Sequence, residues 1–363
     1  MAAKRKSKAC PALYADRIKR VRAEMEAKKL DGYLVQDRKD QYWLTGFTGE
    51  DGYVLVTKKE VALLTDGRFD EAANIQAPWA VKVLREQRTP ERTAKELKAR
   101  RLKRVGFDPD HFTVADFTGT RKAARPVQLI AASGLVLGMR QCKDKGEVDA
   151  IVKAIRVSEK AFKKTAKWIK VGMTESDIAA KLAYEMQRLG AKDVSFPTIV
   201  AVGPNGALPH YETGDRKVTK NSPILIDWGA EVDWYVSDLT RMIWPGSIPR
   251  ELAKVNKIVT EAHDAAIAAI KPGVTAHEID AIARKIITKA GYGSCFNHAT
   301  GHGMGLDVHE APRVGKGTNV KLEPGMVITI EPGIYLPGKG GVRLEDDILV
   351  TETGSQVLSE LPL

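Results

Sequence analysis

Five residues between positions 224 and 347 have the types and settings expected of metal ligands. They are Asp227, Asp238, His302, Glu331 and Glu345. The four acids lie in or beside apolar, β-branched segments, and the histidine lies in the glycine-rich segment GHGMG. Burying an unpaired carboxylate is costly, so four carboxylates around one imidazole require positive charge. We predict two divalent metal ions, and a ligand set rich in oxygen and without thiolates favours Mn²⁺, with Zn²⁺, Co²⁺ or Fe²⁺ as alternatives.

The spacing of the four acids predicts two pairs of strands. Residues 223–244 have the pattern of a hairpin whose turn lies near 231–233, which would bring the two aspartates near each other across the ladder. Like charges that face each other in this way are unfavourable without a counter-ion. The two glutamates lie in two further β-branched runs, joined by the Gly/Pro-rich segment 337–341. Two pairs of acids predict a cage suited to two metal ions roughly 3.5–4 Å apart.

An internal repeat surrounds this cage. The segment IKVGMTESDIAAKL (169–182) aligns with IKPGVTAHEIDAIA (270–283). The threonine of each copy has an acid three positions later, which is the spacing of a capping box at the start of a helix. Two helix pairs predict two related halves. Both aspartates follow the first pair, whereas the histidine and both glutamates follow the second, so the metal site is expected between the halves.

The residues that precede the repeat have the pattern of an α/β domain. Helical periodicity covers residues 12–29 and 87–103, and short strands are predicted for GYLVQ, YVLV, VALLT and RVGFD. The composition becomes charged between Met139 and Gly146, where we place the end of this domain. The predicted organisation is a basic flexible tail (1–11), an α/β N-terminal domain (12–141) and a catalytic domain (142–363).

Composition and charge argue against several classes of protein. The formal net charge is +11, but basic residues are spread along helix faces apart from the cluster in AAKRKSKA, which favours a solvated surface over nucleic-acid binding. No apolar run approaches roughly 18 residues, and no apolar segment follows the basic start, so neither a membrane span nor a signal peptide is predicted. Three scattered cysteines argue against a disulfide framework and favour the cytoplasm.

The order and contexts of the five candidate ligands resemble those of the pita-bread metallopeptidases, which include methionine aminopeptidase, aminopeptidase P and prolidase. The resemblance covers roughly residues 146–363. It implies an α+β catalytic domain in which two pseudo-symmetric helix pairs wrap a curved antiparallel sheet around a dinuclear metal centre. The segments QYWLTGFTGEDGYVLV and LLTDGRFDEAA are similar to the creatinase-like N-terminal domain of the proline-specific branch. Methionine aminopeptidases lack that domain.

The resemblance also implies roles for further residues. Three histidines match positions that contact the substrate or stabilise the oxyanion, namely His210, His298 and His309. Arg343 matches a residue of the proline-specific branch that orients a carboxylate and contributes to substrate binding and catalysis. Glu331 would serve as a ligand, a general base and a proton shuttle for a water activated by two metals. By their local settings alone, Asp280 and Glu310 are interpreted as an ordinary helix-face acid and a loop acid.

These observations predict an exopeptidase that hydrolyses the N-terminal Xaa-Pro bond of peptides, an Xaa-Pro aminopeptidase, with an Xaa-Pro dipeptidase (prolidase) as the alternative. A dipeptidase needs a cation for the C-terminal carboxylate of its substrate. The segment from Tyr42 to Gly52, expected near the mouth of the site, carries two acids and no cation. Creatinase-like amidine hydrolysis and a non-catalytic interaction module are more remote, because such proteins lose the ligand set. The resemblance also implies a homodimer.

Overall fold

The computed structural model describes residues 9–85 and 90–363. The chain divides into two compact units, Met1–Met139 and Arg140–Leu363. The basic cluster of the predicted tail lies outside the described residues, as does the beginning of the helix predicted over 87–103. Among the helices of the described ranges, none is long and apolar enough to cross a membrane.

The first unit contains a six-stranded mixed sheet in the order β4-β3-β2-β1-β5-β6. Its strands are β1 (Gly32–Val35), β2 (Tyr53–Thr57), β3 (Val61–Asp66), β4 (Val81–Arg85), β5 (Arg104–Phe107) and β6 (Gln128–Ala131). Its helices are α1 (Ala12–Ala27), α2 (Arg38–Thr45), α3 (Asp70–Gln76), α4 (Pro90–Ala99), α5 (Val114–Ala124) and α6 (Leu135–Arg140), the last of which crosses the unit boundary. Strands β1, β2 and β3 are buried along their whole length, as expected of continuous apolar runs covered on both faces. The predicted α/β class and the hairpin of β2 and β3 are confirmed.

The second unit is built from four long helices and short antiparallel strands. The helices are α7 (Lys145–Trp168), α8 (Glu175–Arg188), α9 (Arg250–Ala268) and α10 (Ala276–Lys289). The strands are β7 (Asp193–Val194), β8 (Ile199–Val202), β9 (Ile224–Trp228), β10 (Ala230–Val232), β11 (Tyr235–Val236), β12 (Leu239–Ile243), β13 (Gly301–Gly303), β14 (Glu310–Val314), β15 (Val327–Ile330), β16 (Gly333–Leu336), β17 (Gly340–Arg343), β18 (Asp346–Val350) and β19 (Ser355–Val357). They form sheets in the orders β12-β9-β8, β11-β10-β7, β14-β13-β15-β18-β19 and β16-β17.

The repeat appears as two equivalent helix–loop units, one in each half. Both predicted capping boxes form at the N-termini of α8 and α10. Gly172 and Gly273 have φ angles of 95° and 88°. Each donates its backbone N–H over 2.9 Å to a carbonyl far along the chain, of Val218 and Leu322 respectively. A positive φ at these turns favours glycine, which explains why both copies of the motif contain it.

The hairpin around the two aspartates differs in detail from the prediction. Its turn lies at Asp233 and Trp234, which have positive φ angles of 51° and 75°, slightly beyond the predicted 231–233. The chain also changes sheets at Gly229, where an added Cβ would lie 1.8 Å from the carbonyl oxygen of Ser237. This close approach lets β9 and β12 form one sheet while β10 and β11 join another.

Candidate metal centre and its surroundings

The first half of the second unit supplies two buried aspartates. Asp227 lies on β9, the central strand of its sheet, opposite Thr240 of β12 and Ile199 of β8. Asp238 directly precedes β12, and its backbone N–H donates to Oδ2 of Asp347 over 3.3 Å. The aspartates are therefore diagonal rather than directly opposed. Asp227 is held by a strand paired on both sides, and Asp238 by the start of β12 and the hydrogen bond to Asp347.

The second half supplies the histidine and both glutamates. His302 lies on β13, Glu331 follows β15, and Glu345 lies between β17 and β18. The Nε2 atom of His302 lies 3.6 Å from Oδ2 of Asp238 and 3.5 Å from Oε1 of Glu331. One ligand atom each of Asp238, His302 and Glu345 lies within 4.8 Å of the others. All five candidate ligands line one cavity of about 710 Å³.

The electrostatics of this cluster fit a bound cation. Burial raises the pKa of Asp238 and of Glu345 well above their usual values, and neighbouring carboxylates raise both further. The pKa of Glu331 rises to about 8, because burial outweighs the charge of Arg343. Within the described residues, Oδ1 of Asp227 is buried without a hydrogen-bond partner. Metal ions would supply the missing charge and the missing partner.

The tautomer and the protonation state of the His302 imidazole also suit metal binding. Its Nδ1 lies 3.1 Å from the carbonyl oxygen of Gly303, so Nδ1 carries the proton and the lone pair of Nε2 faces the acids. Burial, followed by the charge of His309, lowers the pKa of His302 to about 4. A neutral ring with a fixed tautomer is the form that binds a metal ion.

Arg343 connects both halves of the centre. Its guanidinium donates to Oδ2 of Asp227, to Oγ1 of Thr240 over 3.1 Å and to the hydroxyl of Tyr335 over 2.9 Å. Thr240 in turn donates to Oε2 of Glu345 over 2.7 Å. Arg343 thus orients two candidate ligands, one directly and one through a threonine. Sequence reasoning identified the arginine but missed both hydroxyl residues.

His298 is engaged by the protein at both ring nitrogens. Nδ1 lies 2.7 Å from the carbonyl oxygen of Ala299, and Nε2 lies 2.8 Å from the hydroxyl of Tyr335. A carbonyl only accepts, so Nδ1 donates to it and Nε2 accepts from the tyrosine. Burial, followed by the charge of Arg343, lowers the pKa of His298 to about 4. Its expected contact with substrate stays a prediction, and donation from Nε2 would require this hydrogen bond to change.

The other two candidate histidines also line the cavity. The ring of His309 lies 4.4 Å from that of His302, edge to face. His210 is exposed on the loop that follows β8. It also borders a groove of about 610 Å³ that continues from the cavity between residues 208–212 and 297–298. The structure therefore gathers every predicted site residue around one cavity.

The interpretation of Asp280 as an ordinary helix-face acid and of Glu310 as an ordinary loop acid is wrong. Asp280 is 1% exposed and accepts from Arg284 and from both the N–H and the hydroxyl of Thr300. Glu310 begins β14 rather than lying in a loop, and it accepts from the buried cations Arg140 and Lys143. Burial alone would raise the pKa of both acids, but these donors leave both values lowered.

One sequence signal could have identified Asp280. The buried positions of α10 are Ala276, Ile279, Asp280, Ala283 and Ile287. They follow the helical spacing of a face that packs on the core, and Asp280 is the acid among them. An acid on the apolar face of a helix is expected to be paired.

Comparison with known proteins identifies the family. Residues 149–352 match metallopeptidase family M24, and residues 17–142 match the creatinase/prolidase N-terminal domain. The chain belongs to metallopeptidase family M24. An Xaa-Pro dipeptidase of Pyrococcus horikoshii is 35% identical over 95% of this chain and 97% of its own length.

Similar solved structures cover both units of the chain. An Xaa-Pro dipeptidase from Bacillus anthracis has a TM-score of 0.94 and 36% identity, over 96% of this chain and 98% of that chain. An X-Pro aminopeptidase from Thermotoga maritima has a TM-score of 0.88 and 35% identity, over 93% and 98%. The predicted family and the two-domain architecture, with a pita-bread catalytic domain, are confirmed.

Proposed function

We propose that this M24 metallopeptidase is an Xaa-Pro dipeptidase. This reverses the preference drawn from the sequence. That preference rested on the segments TGFTG and TDGRF, which resemble the aminopeptidase P-like group, and on the lack of a cation between Tyr42 and Gly52 for the C-terminal carboxylate of a dipeptide. Relatives similar over almost the whole chain are named Xaa-Pro dipeptidases. A cation that the sequence reasoning did not consider also lines the cavity.

That cation is Arg313, and it is the observation that carries the proposal. Arg313 lies on β14, opposite the candidate ligand His302 on β13, and lines the cavity. Its side chain forms no ion pair or hydrogen bond within the described part of the chain. Arg343, in contrast, forms an ion pair with Asp227. A guanidinium presents paired donors that match a carboxylate, so Arg313 suits the C-terminal group of a dipeptide.

The backbone beside Arg313 supports this assignment. A Cβ added at Gly315 would lie 2.6 Å from Nη1 of Arg313, so the absence of a side chain there leaves room for the guanidinium. On the carboxylate of a bound dipeptide, this charge would disfavour a substrate that extends beyond its second residue. A dipeptide would place its C-terminal carboxylate on the guanidinium of Arg313, whereas a longer peptide would have no carboxylate at that position.

Two divalent metal ions, with Mn²⁺ as the proposed occupant, would polarise the scissile carbonyl and activate water. Asp227, Asp238, His302, Glu331 and Glu345 would hold them. Glu331 is proposed as the group that accepts and returns the proton, as the family resemblance implies, because its carboxylate lines the cavity beside the other candidate ligands. His210, His298 and His309 are proposed to contact the substrate, and Arg343 to orient Asp227.

Steady-state kinetics on matched peptides test the proposal. With Mn²⁺ added, kcat/KM for an Xaa-Pro dipeptide should exceed that for the Xaa-Pro-Yaa tripeptide. Arg313→Met should raise KM for the dipeptide by roughly 10-fold or more, which is the scale of one lost charge-assisted hydrogen bond, and should affect the tripeptide less. Lys316→Met is the matched control, because Lys316 is exposed and does not line the cavity. Turnover of tripeptides without turnover of dipeptides would refute the proposal.

An Xaa-Pro aminopeptidase is the second candidate. The groove between residues 208–212 and 297–298 continues from the cavity and could receive additional peptide residues. The structural neighbour from Thermotoga maritima is named an X-Pro aminopeptidase. Homodimerisation and a cytoplasmic location stay predictions, and size-exclusion chromatography with light scattering would test the first of them.

A further inference from the structure

The equivalent helices α8 and α10 each bury one carboxylate that the metal centre does not use. Glu175 is the first residue of α8 and is fully buried, and Asp280 lies on the buried face of α10 with 1% exposure. Neither lines the metal cavity. Burying a carboxylate is costly unless donors surround it, so the partners of each acid indicate what it does.

Glu175 holds the loop that follows β8. Its Oε1 accepts from the backbone N–H of Val202 over 2.6 Å and from Nδ2 of Asn205 over 2.8 Å. Its Oε2 accepts from the hydroxyl of Tyr211 over 2.7 Å and from the backbone N–H of Gly214 over 3.3 Å. Four donors spread over thirteen residues converge on one carboxylate. The loop between them carries His210, directly before Tyr211.

Asp280 has the equivalent role in the second half. Its Oδ1 accepts from the hydroxyl of Thr300 over 2.8 Å and from the backbone N–H of the same residue over 3.2 Å. It also binds Arg284, which donates to the carbonyl oxygens of Phe296 over 3.0 Å and His298 over 2.8 Å. The acid and the arginine together fix the segment 296–300. That segment carries His298.

The two loops line the same groove. Residues 208–212 and 297–298 together line the groove that continues from the cavity, and His210 and His298 border both spaces. The positions of these loops therefore set the width of the groove and the distance of each histidine from the metal ligands.

We propose that Glu175 and Asp280 are positioning residues, one in each half of the repeat, which hold the loops that carry His210 and His298 at the opening of the metal cavity. The proposal rests on the peptidase function proposed above and adds to it the residues that shape the substrate groove. Neither carboxylate touches the substrate. Each acts through the backbone that it fixes.

Isosteric amides test the proposal with little change in volume. Glu175→Gln and Asp280→Asn keep the shape of each side chain but replace one acceptor oxygen by a donor, which faces other donors in these sites. Asp177→Asn and Glu278→Gln are the matched controls. Each control weakens the capping box of the same helix, whose acid contacts its capping threonine and not the loop.

Amide hydrogen exchange of the metal-loaded protein is the first readout, and it requires no substrate. Glu175→Gln should speed exchange in residues 202–214 and not in 296–300, whereas Asp280→Asn should do the reverse. The capping controls should leave both segments as in the wild type. Unchanged exchange in both loops would overturn the proposal, whatever reaction the enzyme catalyses. Absence of Xaa-Pro hydrolysis in the metal-loaded wild type would instead refute the proposed function.

Kinetics combined with double mutants are the second readout. Each amide variant should keep the metal content of the wild type and lose roughly 10- to 100-fold in kcat/KM, the scale expected when a supporting contact is removed or a group is displaced by about 1 Å. In a His210→Ala background, Glu175→Gln should lower kcat/KM little further, because both changes remove the contribution of a correctly placed His210. Asp280→Asn should behave likewise with His298→Ala. Fully additive losses, or equal losses in the capping controls, would show a purely structural role and overturn the proposal.

Discussion

The floor of the cavity and the structure beneath its rim bury carboxylates in different ways. The floor acids are the candidate ligands Asp227, Asp238, Glu331 and Glu345. The rim consists of the loops 202–214 and 296–300 and the start of β14, and the acids beneath it are Glu175, Asp280 and Glu310, of which Glu310 also lines the cavity. At the floor, burial and neighbouring carboxylates keep pKa values raised. Beneath the rim, donors surround each acid, and the pKa values of Asp280 and Glu310 are lowered in spite of burial.

This difference separates acids that require a cation from acids that hold backbone. Both kinds are removed from water, and both lie in apolar surroundings. What distinguishes them is the source of the compensating positive charge or N–H groups. At the floor the protein leaves part of this compensation to a metal ion. Beneath the rim the protein supplies the positive charge and the hydrogen-bond donors itself, and these contacts hold loops in place instead of binding a metal ion.

The largest expected effect is loss of the metal at the floor. Asp238→Asn should reduce metal content and bring Xaa-Pro hydrolysis to background, because Asp238 offers a ligand atom within 4.8 Å of those of both His302 and Glu345. Chelation should do the same to the wild type, and added Mn²⁺ should restore only the wild type. Elemental analysis with a peptidase assay measures both quantities. Asp264→Asn, at an exposed acid outside the cavity, is the control, and an active metal-free enzyme would contradict the assignment.

A smaller loss is expected at Glu331, the floor acid proposed to transfer the proton. Glu331→Gln should lower kcat by at least roughly 100-fold, the scale of removing a general base. KM should change less, because no contact with the distal part of the substrate is removed. A variant that keeps both kcat and metal content would show that proton transfer depends on another group.

The floor of the site was largely predictable from the sequence, whereas the rim was not. Acids that interrupt apolar strands stand out in a short window, so Asp227 and Glu345 could be identified without knowing their partners. The partners of Glu175 lie 27 to 39 positions away, and a local pattern does not contain them. Tyr335 was missed for the same reason. It resembles an ordinary strand residue until the fold brings Arg343 and His298 to its hydroxyl.

Beneath the rim, a change of charge should affect stability more than chemistry. Glu310→Gln would leave the buried ammonium of Lys143 without a carboxylate partner, and breaking a buried pair typically costs about 3–5 kcal/mol. Thermal denaturation should show a clear fall in melting temperature with metal content unchanged. Asp307→Asn is the matched control. Asp307 pairs with Arg140 from a more exposed position, so this variant should lower the melting temperature far less. Equal effects of the two variants would show that burial does not determine the strength of this cluster.

The smallest effect should appear in the pH dependence of metal-stripped protein. The pKa of Glu331 is raised to about 8 in the folded chain, so between about pH 7 and 8 the folded state binds more protons than the unfolded state. Stability is therefore present at lower pH and is lost as the pH rises through 8. His298 and His302, whose pKa values are lowered to about 4, act in the opposite direction but only below about pH 6.5, so measurements from pH 7 to 8.5 isolate the acids.

One carboxyl with a pKa of about 8 changes the free energy of unfolding by about 1.3 kcal/mol over that range. The melting temperature of the chelated protein should therefore fall by roughly 3–5 °C, since each kcal/mol corresponds to about 2–4 °C in a domain of this size. Glu331→Gln should flatten the slope, since an amide does not titrate, and bound Mn²⁺ should flatten it by replacing the protons. Asp280 already has a lowered pKa, so Asp280→Asn should leave the slope between pH 7 and 8.5 unchanged even where it lowers the melting temperature itself. An equal change of slope in the Asp280 and Glu331 variants would remove the distinction between the two regions.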